Sequence, residues 1–430
     1  MTLRRPVWAL YVLIVGLAVH NLVMSQLWRA GVRGGALSAL AAWKDVLLLA
    51  ALALVLWARR GRPLRMAVTD WLALAFGAFV VAYAVVPQSW LGGGATRRGV
   101  LYGARHDLLP VEAYFLGRGL DLTLAERRRV CQVLLATAAG VAVFGLVDVF
   151  LVPLSWWRRS QGWFADQLGL SYRGLSGLPE NFVYNEGGGV VFRRLTSTFL
   201  SPLASAYLLV VALFVVPLRG RRWGWPLALL LFAALLWTHT RAALLALLLA
   251  LLVLAVLRRS GFVAGLAVAV AAIGFLFVQG YDHVGPRTHF TKSELVYQER
   301  HAHETPARSN DATSANEAST NEHVSSFRQG ASTALHHPWG FGLGNAGVTA
   351  ARTHVTIEAG ESTYTELAVE TGLVGALIFV AWSLAVFRRL LGAPWLAAAF
   401  AAVLFLGLQT DVIGIPWIAV VVWALAGDEV

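Results

Sequence analysis

Residues 242–257 of the 430-residue chain read AALLALLLALLVLAVL, and residues 261–279 read GFVAGLAVAVAAIGFLFVQ. Only Arg258, Arg259 and Ser260 separate the two runs. An apolar helix of about 20 residues is long enough to cross a hydrocarbon core of roughly 30 Å. Lipid offers the backbone no hydrogen-bonding partner, and a helix pairs its own peptide groups. The two runs therefore predict two membrane-spanning helices joined by a short basic turn.

Runs of the same kind recur along the whole chain. Hydrophobic residues make up 57% of the sequence and charged residues 14%, which is too apolar for a soluble domain. The other runs lie near residues 7–24, 36–57, 68–86, 108–118, 130–151, 199–217, 225–238, 362–387, 393–409 and 412–426. The run 108–118 is short and contains Pro110 and Glu112, so a broken or re-entrant helix is an alternative to a full span there. We predict an all-α, polytopic integral membrane protein, a single transmembrane domain over residues 1–430 with about 12 transmembrane helices.

Arginines at the ends of these runs predict which side of the membrane each loop occupies. They fall at every second boundary: Arg4 and Arg5; Arg59, Arg60, Arg62 and Arg65; Arg118 and Arg127 to Arg129; Arg219, Arg221 and Arg222; Arg258 and Arg259; Arg388 and Arg389. By the positive-inside rule, both termini are cytoplasmic. The net charge of +11 then indicates contacts with membrane lipids and no nucleic-acid partner. Two long extracytoplasmic loops remain, 152–197 and 280–361, the second between predicted helices 9 and 10, and function usually lies in such loops.

Several arginines are predicted to lie at the extracytoplasmic ends of helices. Arg194 and its neighbour Arg193 precede one apolar run, Arg241 precedes another, and Arg328 begins a helical run that leads to His337. A guanidinium is always charged and donates paired hydrogen bonds to phosphate oxygens. Convergence of these side chains predicts a diphosphate site, and anchoring of single arginines at the membrane interface is the alternative.

Charged residues at the start of one helix and inside others are further candidates. Glu361 opens the segment Glu361-Ser362-Thr363-Tyr364-Thr365-Glu366. Its carboxylate either complements the helix dipole or acts as a general base that takes a proton from a sugar hydroxyl. Lys44, Asp45 and Asp148 lie inside apolar runs, where charge is costly. Lys44 could face the anionic site while Asp45 or Asp148 balances an arginine; a purely structural role is the alternative.

A glycine-rich turn and a set of histidines occupy the second loop. Residues 342–347 form a literal G-x-G-x-x-G, but no strand precedes it, so a tight turn that lets the backbone approach a ligand or another helix is the better interpretation. His301, His303 and His323 could form a metal site, although solvated loop histidines explain them adequately. The single cysteine, Cys131, excludes an internal disulfide or a multi-cysteine metal site. We predict no metal and no cofactor.

The order of these motifs resembles that of the O-antigen ligase and polymerase superfamily of bacterial envelope glycosyltransferases. The resemblance covers roughly residues 40 to 390. It rests on Arg-x-x-small-Thr-Phe at Arg194, Ser/Thr-x-Ser/Thr-Arg at Arg241, an arginine-containing helix before His337-Pro338-x-Gly340-x-Gly342-x-Gly344, and Gly372-x-x-Gly375. The ligase pattern is His-[Asn/Ser/Gln], nine residues, then Gly-x-x-[Gly/Thr/Tyr]. This chain departs from it, because Glu361-Ser362 occupies the position of the histidine pair.

The resemblance implies a metal-independent, GT-C-type enzyme in the bacterial inner membrane. Such an enzyme transfers a glycan from an undecaprenyl-diphosphate carrier to an acceptor sugar hydroxyl on the periplasmic face, either a second glycan (a polymerase of O-antigen or exopolysaccharide) or the lipid A core of lipopolysaccharide (a ligase). Arg194 and Arg241 would bind the diphosphate and Glu361 would be the base. Arg193, Arg328, His337, Tyr364 and Lys44 are predicted to bind substrate. A transporter or flippase for a lipid-linked or amphiphilic anion is the alternative function.

Overall fold

The computed structural model describes residues 6–61, 64–168, 178–187, 190–219, 221–289, 291–301, 318–358 and 362–430. Most of these residues are helical. The α-helices are α1 (Val7–Arg29), α2 (Gly34–Ala41), α3 (Trp43–Ala58), α4 (Val68–Val85), α5 (Gln88–Leu91), α6 (Arg97–Leu120), α7 (Leu124–Leu151), α8 (Leu154–Arg158), α9 (Gln161–Leu168), α10 (Pro202–Val215), α11 (Arg221–Trp237), α12 (Arg241–Arg258), α13 (Gly261–Gln279), α14 (Tyr281–Val284), α15 (Lys292–His301), α16 (Ala318–His336), α17 (Gly347–Thr353), α18 (Thr363–Leu390), α19 (Pro394–Leu406) and α20 (Trp423–Glu429). A π-helical stretch, Ile418–Val422, precedes α20.

Within the described residues, seven helical stretches are long and apolar enough to cross a membrane. They are α1, α2 with α3, α4, α7, α12, α13 and α18, and shorter apolar helices occur at Pro202–Val215, Gly224–Trp237 and Pro394–Leu406. These helices confirm an all-α, polytopic membrane protein. The count of about 12 transmembrane helices and the position of the large loop between helices 9 and 10 stay predictions.

The run 108–118 is the second half of a longer helix. The structure has the unbroken helix α6, Arg97–Leu120, in place of a short or broken piece, with Pro110 inside it. The hydropathy pattern hid the first half because Arg97, Arg98 and Arg105 lie there. Proline has no N–H, so the carbonyl of His106, four residues earlier, lacks its usual helical partner.

A small sheet joins the two long loops. Its three strands are β1 (Val183–Gly187), β2 (Val190–Arg193) and β3 (Arg287–Thr288), in the order β1-β2-β3 with antiparallel pairing. The Tyr281 hydroxyl donates to the carbonyl of Arg193 beside the sheet. The helical run that Arg328 was predicted to begin belongs to the longer helix α16. The sheet therefore fixes the residues just before Arg194 against the end of α13.

The glycine-rich turn binds a break in α18. Gly372 has the positive φ of 71°, which interrupts the helix and leaves nearby backbone groups without helical partners. The turn supplies those partners, because the Phe341 amide donates to the Val369 carbonyl at 2.7 Å and the Leu373 amide donates to the Pro338 carbonyl at 2.9 Å. The prediction of a turn that approaches another helix closely is confirmed.

The ends of several elements meet on one face of the bundle. Arg127, at the start of α7, forms ion pairs with Asp428 at 2.8 Å and Glu429 at 2.6 Å. Tyr11 of α1 interacts with the charges of Glu126 and Arg129. Both ends of the chain therefore lie on the same face as the α6–α7 turn. The assignment of that face to the cytoplasm stays a prediction.

Candidate functional site

Arg194 and Arg241 come together at the opposite face. The Arg194 Nε donates to the Thr238 carbonyl at 2.9 Å, and its terminal nitrogen donates to the Thr240 hydroxyl at 3.1 Å. Both threonines belong to the turn that leads into Arg241, the first residue of α12. Burial lowers the pKa of Arg194 to about 10, and the charge of Arg241 acts in the same direction. The Arg194 guanidinium therefore remains charged at neutral pH, and the structure brings the two arginines together as predicted.

His239 stands between these two arginines. Its backbone is left-handed (φ 47°), and its ring stacks on Tyr281 with centroids 4.0 Å apart. Burial, reinforced by the charges of Arg194 and Arg241, holds the pKa of His239 well below its usual range. Nε2 of this neutral ring is buried and has no hydrogen-bond partner among the described residues. The sequence analysis did not single out His239, although it lies in the Thr238-His239-Thr240-Arg241 motif.

Arg193 faces the other way from its neighbour. Its guanidinium is 3.5 Å from the Asp148 carboxylate and donates to the Asp148 and Val152 carbonyls. Its side chain is 6% exposed. Asp148 therefore balances an arginine, as predicted, and the substrate-binding role of Arg193 stays a prediction. Successive residues at a strand end point to opposite sides, which separates Arg193 from Arg194.

A buried cluster of acidic residues surrounds His106 of α6. The His106 Nδ1 lies 2.8 Å from an Asp107 carboxylate oxygen, and its Nε2 lies 2.7 Å from Asp411. Ionised carboxylates only accept hydrogen bonds, so both ring nitrogens carry hydrogen. Burial raises the pKa of Asp411, but the charge and hydrogen bond of His106 outweigh it, and this pKa lies below its usual value. The sequence analysis missed all three residues.

Two glutamates of α18 complete this cluster. Glu370 accepts hydrogen bonds from the amides of Gly344 at 2.9 Å and Ala346 at 3.3 Å, so the glycine-rich turn holds its carboxylate. Glu366 interacts electrostatically with His106 and is only 8% exposed. No described residue donates a hydrogen bond to its carboxylate. Among the described residues, Glu366 is thus the member of the cluster whose carboxylate has no protein donor.

Polar side chains lie between the arginine pair and the acidic cluster. Tyr207 is close enough to Arg194 for an electrostatic interaction, and its hydroxyl donates to the Thr410 hydroxyl at 3.0 Å. The Thr363 hydroxyl lies 3.2 Å from the Thr410 carbonyl and 3.4 Å from a carboxylate oxygen of Asp411. The two groups therefore belong to one polar region on the face opposite the chain ends.

The other predicted site residues lie away from the arginine pair or outside the described residues. Glu361 lies outside the described residues. Arg328 is exposed on α16. The His337 Nε2 donates to the Leu91 carbonyl at 2.8 Å, and its ring stacks on Phe341. Packing against protein thus occupies His337, and neither His337 nor Arg328 contacts the arginine pair in the described structure.

Tyr364 lines an apolar cavity and does not face the arginines. Its hydroxyl donates to the Leu404 carbonyl at 2.8 Å. The cavity, of about 430 Å³, lies among α12, α18 and α19. Its lining residues are Leu249, Tyr364, Val380, Ser383, Leu384, Phe387, Ala401, Leu404, Phe405 and Leu408. It extends from Tyr364, at the start of α18, toward the other end of that helix, and suits a hydrocarbon chain.

Lys44 lies with a second set of cations. Its Nζ is 3.1 Å from His20 and donates to the Ala41 carbonyl. Its charge interacts with those of Arg105 and Arg352. Asp45 pairs with Arg105 at 2.7 Å. This contact agrees with the prediction that Asp45 balances an arginine.

Metal ligands are not grouped in the part of the chain that the structure describes. It contains no set of three or more histidine, cysteine, aspartate and glutamate side chains placed to hold an ion. His303 lies outside the described residues. The expectation of no metal stays a prediction.

The fold and the site define a class: multi-pass helical membrane proteins that gather buried cations and carboxylates at one face of the bundle. Residues 226–380 match the family model described as O-antigen ligase. This match confirms the predicted O-antigen ligase and polymerase superfamily and, with the apolar helices, indicates a multi-pass protein of the bacterial inner membrane. A search of curated proteins gives no match. The matched stretch contains Arg241, Glu361, Glu366 and Glu370 but neither Arg194 nor His106.

Proposed function

We propose that the protein transfers a glycan from an undecaprenyl-diphosphate carrier to a sugar hydroxyl on the periplasmic face of the membrane, as an O-antigen ligase or as a polymerase of O-antigen or exopolysaccharide. The observation that carries the proposal is the pairing of Arg194 with Arg241 beside the acidic cluster. In this reaction the acceptor oxygen forms a bond to the anomeric carbon while the bond from that carbon to the diphosphate oxygen breaks. The electron pair stays on the diphosphate, and the acceptor proton must reach a base.

The arginine pair meets the charge of the leaving group. Arg194 is held by Thr238 and Thr240, so its guanidinium is positioned before substrate arrives. Fixed positive groups in a site of low dielectric stabilise developing negative charge without reorganising. These guanidiniums give the reaction a means of stabilising the diphosphate that uses no metal.

A carboxylate near the start of α18 takes the acceptor proton. Glu361 remains the prediction from the sequence. Glu366 is the candidate that the structure describes, because it is buried and accepts no hydrogen bond from a described residue. Its neighbours His106 and Asp411 form a hydrogen-bonded pair that stabilises the charge of the cluster before and after proton transfer.

The apolar cavity suits the lipid part of the donor. It begins at Tyr364 and Leu408, close to Thr410 and therefore to the polar region. Leu249, on the opposite wall, belongs to α12, the helix that Arg241 begins. A polyprenyl chain in this cavity would place its diphosphate near the arginine pair.

The test gives purified protein a labelled undecaprenyl-diphosphate oligosaccharide, alone and then with a separate acceptor. Arg241→Ala should lower transfer by roughly 10²- to 10³-fold. Loss of the base should lower it by about 10²- to 10⁴-fold. Glu361→Gln and Glu366→Gln are compared with Glu358→Gln, a neighbouring carboxylate with no assigned role, which should keep its activity. Normal activity in both Glu361→Gln and Glu366→Gln would exclude a carboxylate base at either position.

The same assay separates ligase, polymerase and transporter. A ladder of products from the donor alone supports a polymerase, and product only after acceptor is added supports a ligase. Transport of a lipid-linked anion is the alternative, since the break of α18 at Gly372 is of the kind that transporters use. Absence of product with every acceptor, together with movement of labelled lipid across vesicles, would favour transport.

A further inference from the structure

A second group of basic residues lies beside the acidic cluster. Lys44 of α3, Arg105 of α6 and Arg352 of α17 are close enough for their charges to interact. They come from three separate segments, so the fold and not local sequence brings them together. Like charges placed together repel, and such a group is stabilised by an anion.

The carboxylates nearby interact with Arg105 and do not neutralise the whole group. Asp45 pairs with Arg105 at 2.7 Å, and Glu112, two turns further along α6, interacts with the same arginine. Arg352 has no carboxylate partner among the described residues, and its Nε is buried without a hydrogen-bond partner. Burial, with the charge of Arg105 added, lowers the pKa of Arg352 to about 10, so the side chain stays charged at neutral pH. A charged group that is held partly out of water without a partner favours the binding of an anion.

This group is distinct from the arginine pair. His20 of α1 contacts Lys44, while the next residue, Asn21, donates to the Phe199 carbonyl on the side of Arg194. Helix α1 therefore lies between the two groups. Arg105 also directly precedes His106, so the second group borders the acidic cluster from its own side.

We propose that Lys44, Arg105 and Arg352 form a second anion site, which binds a phosphate group of the acceptor. This inference rests on the proposed function, since it places donor and acceptor on two sides of the acidic cluster. Arg352 supplies donors that no described protein group uses. The acceptor phosphate belongs either to a second lipid-diphosphate carrier, as in a polymerase, or to a phosphorylated sugar of a glycolipid, as in a ligase.

Binding of labelled undecaprenyl diphosphate to the full chain in phosphatidylcholine nanodiscs tests the site. We expect two molecules per wild-type chain, one in Arg352→Ala, one in Arg241→Ala and none in the double variant. The control is Arg98→Ala, which removes an exposed arginine on the same helix as Arg105. Among the described residues Arg98 bonds to Tyr102, and the variant should keep two molecules. One molecule per wild-type chain, or two in Arg352→Ala, overturns the second site and leaves the donor site standing. Two molecules in Arg241→Ala with one in Arg352→Ala overturns the donor site alone.

Kinetics give an independent measure. Arg352→Ala should raise the KM for acceptor at least about tenfold, a change of 1.4 kcal/mol, while the KM for donor stays within about twofold. Equal effects on both substrates would contradict the proposal.

Glucose 1-phosphate added to Arg241→Ala then separates the two sources of the acceptor phosphate. Displacement of the label identifies a sugar phosphate, and retention at millimolar competitor identifies a lipid diphosphate. Arg352→Lys keeps the charge and should recover part of the loss, which a merely misfolded Arg352→Ala would not predict.

Discussion

At the residue scale, the neighbouring residues Arg193 and Arg194 have different partners. The guanidinium of Arg193 neutralises Asp148, which also accepts a hydrogen bond from the Trp157 indole at 2.7 Å. That of Arg194 is held by the turn before Arg241. The Arg193 side chain therefore stabilises the packing of the sheet against α7, and the Arg194 side chain belongs to the proposed diphosphate site.

We expect the variants Arg193→Met and Arg194→Met to separate stability from binding. Arg193→Met leaves Asp148 buried without its cation and should lower the free energy of unfolding by about 3 kcal/mol or more. Arg194→Met should unfold close to the wild type and lose diphosphate binding. Tryptophan fluorescence during thermal unfolding in detergent, with binding of labelled undecaprenyl diphosphate, measures the two effects.

A double variant serves as the control for this pair. Asp148→Asn combined with Arg193→Met removes both charges and should recover part of the stability. If Arg193→Met unfolds like the wild type and abolishes binding, Arg193 is a ligand-binding residue after all, as the sequence analysis predicted.

The sequence predicted some of these residues and missed others for a physical reason. Arg194 and Arg241 stand out because each lies at the end of an apolar run. His106 lies in the polar first half of α6, where the hydropathy signal is weak, and its partner Asp411 is 305 residues away. Neither composition nor spacing shows such a contact. Glu366 was visible in the sequence, but its position beside His106 depends on how α6 and α18 pack.

At the element scale, contact between the glycine-rich turn and α18 sets the position of the glutamates. A Cβ on Gly340 would lie 2.5 Å from the Gly372 nitrogen, and one on Gly372 would lie 2.5 Å from the Pro338 carbonyl oxygen. Both residues have positive φ, 72° and 71°. Only glycine adopts this backbone without strain and permits the approach. The glycines of the turn predicted the turn itself. They could not predict that it packs on α18, because the break in α18 is visible only in the folded structure.

We expect Gly340→Ala and Gly372→Ala each to remove most transfer activity by shifting the turn that holds Glu370. The matched control is Gly265→Ala in α13, where a Cβ would meet nothing within 4 Å. That change should leave activity intact and raise helix stability by roughly 0.5–1 kcal/mol. Transfer rates and thermal midpoints of the three variants are the measurement. Full activity in Gly372→Ala would show that the contact does not position the site.

At the scale of the whole molecule, the chain separates its charges by function. Arg127 binds the C-terminal acids on one face, and Arg194, Arg241 and the acidic cluster lie on the other. Distant segments build the second face: the loop before α10, the start of α12, the first half of α6, the start of α18 and the turn before the π-helix. A site assembled this way depends on all the helices crossing in the correct alternation.

We therefore expect single cysteines at the two faces to react from opposite sides of the membrane. The native cysteine, the buried Cys131, is first replaced by alanine so that each variant carries one cysteine. Thr356→Cys, exposed after α17, should react with a membrane-impermeant maleimide in intact spheroplasts, and Leu124→Cys, exposed at the start of α7, should react only after permeabilisation. Labelling of Leu124→Cys in intact spheroplasts would reverse the assigned sides, and the proposed site would then face the cytoplasm, where a periplasmic acceptor cannot reach it. Labelling of both from one side would contradict the alternation of the helices itself.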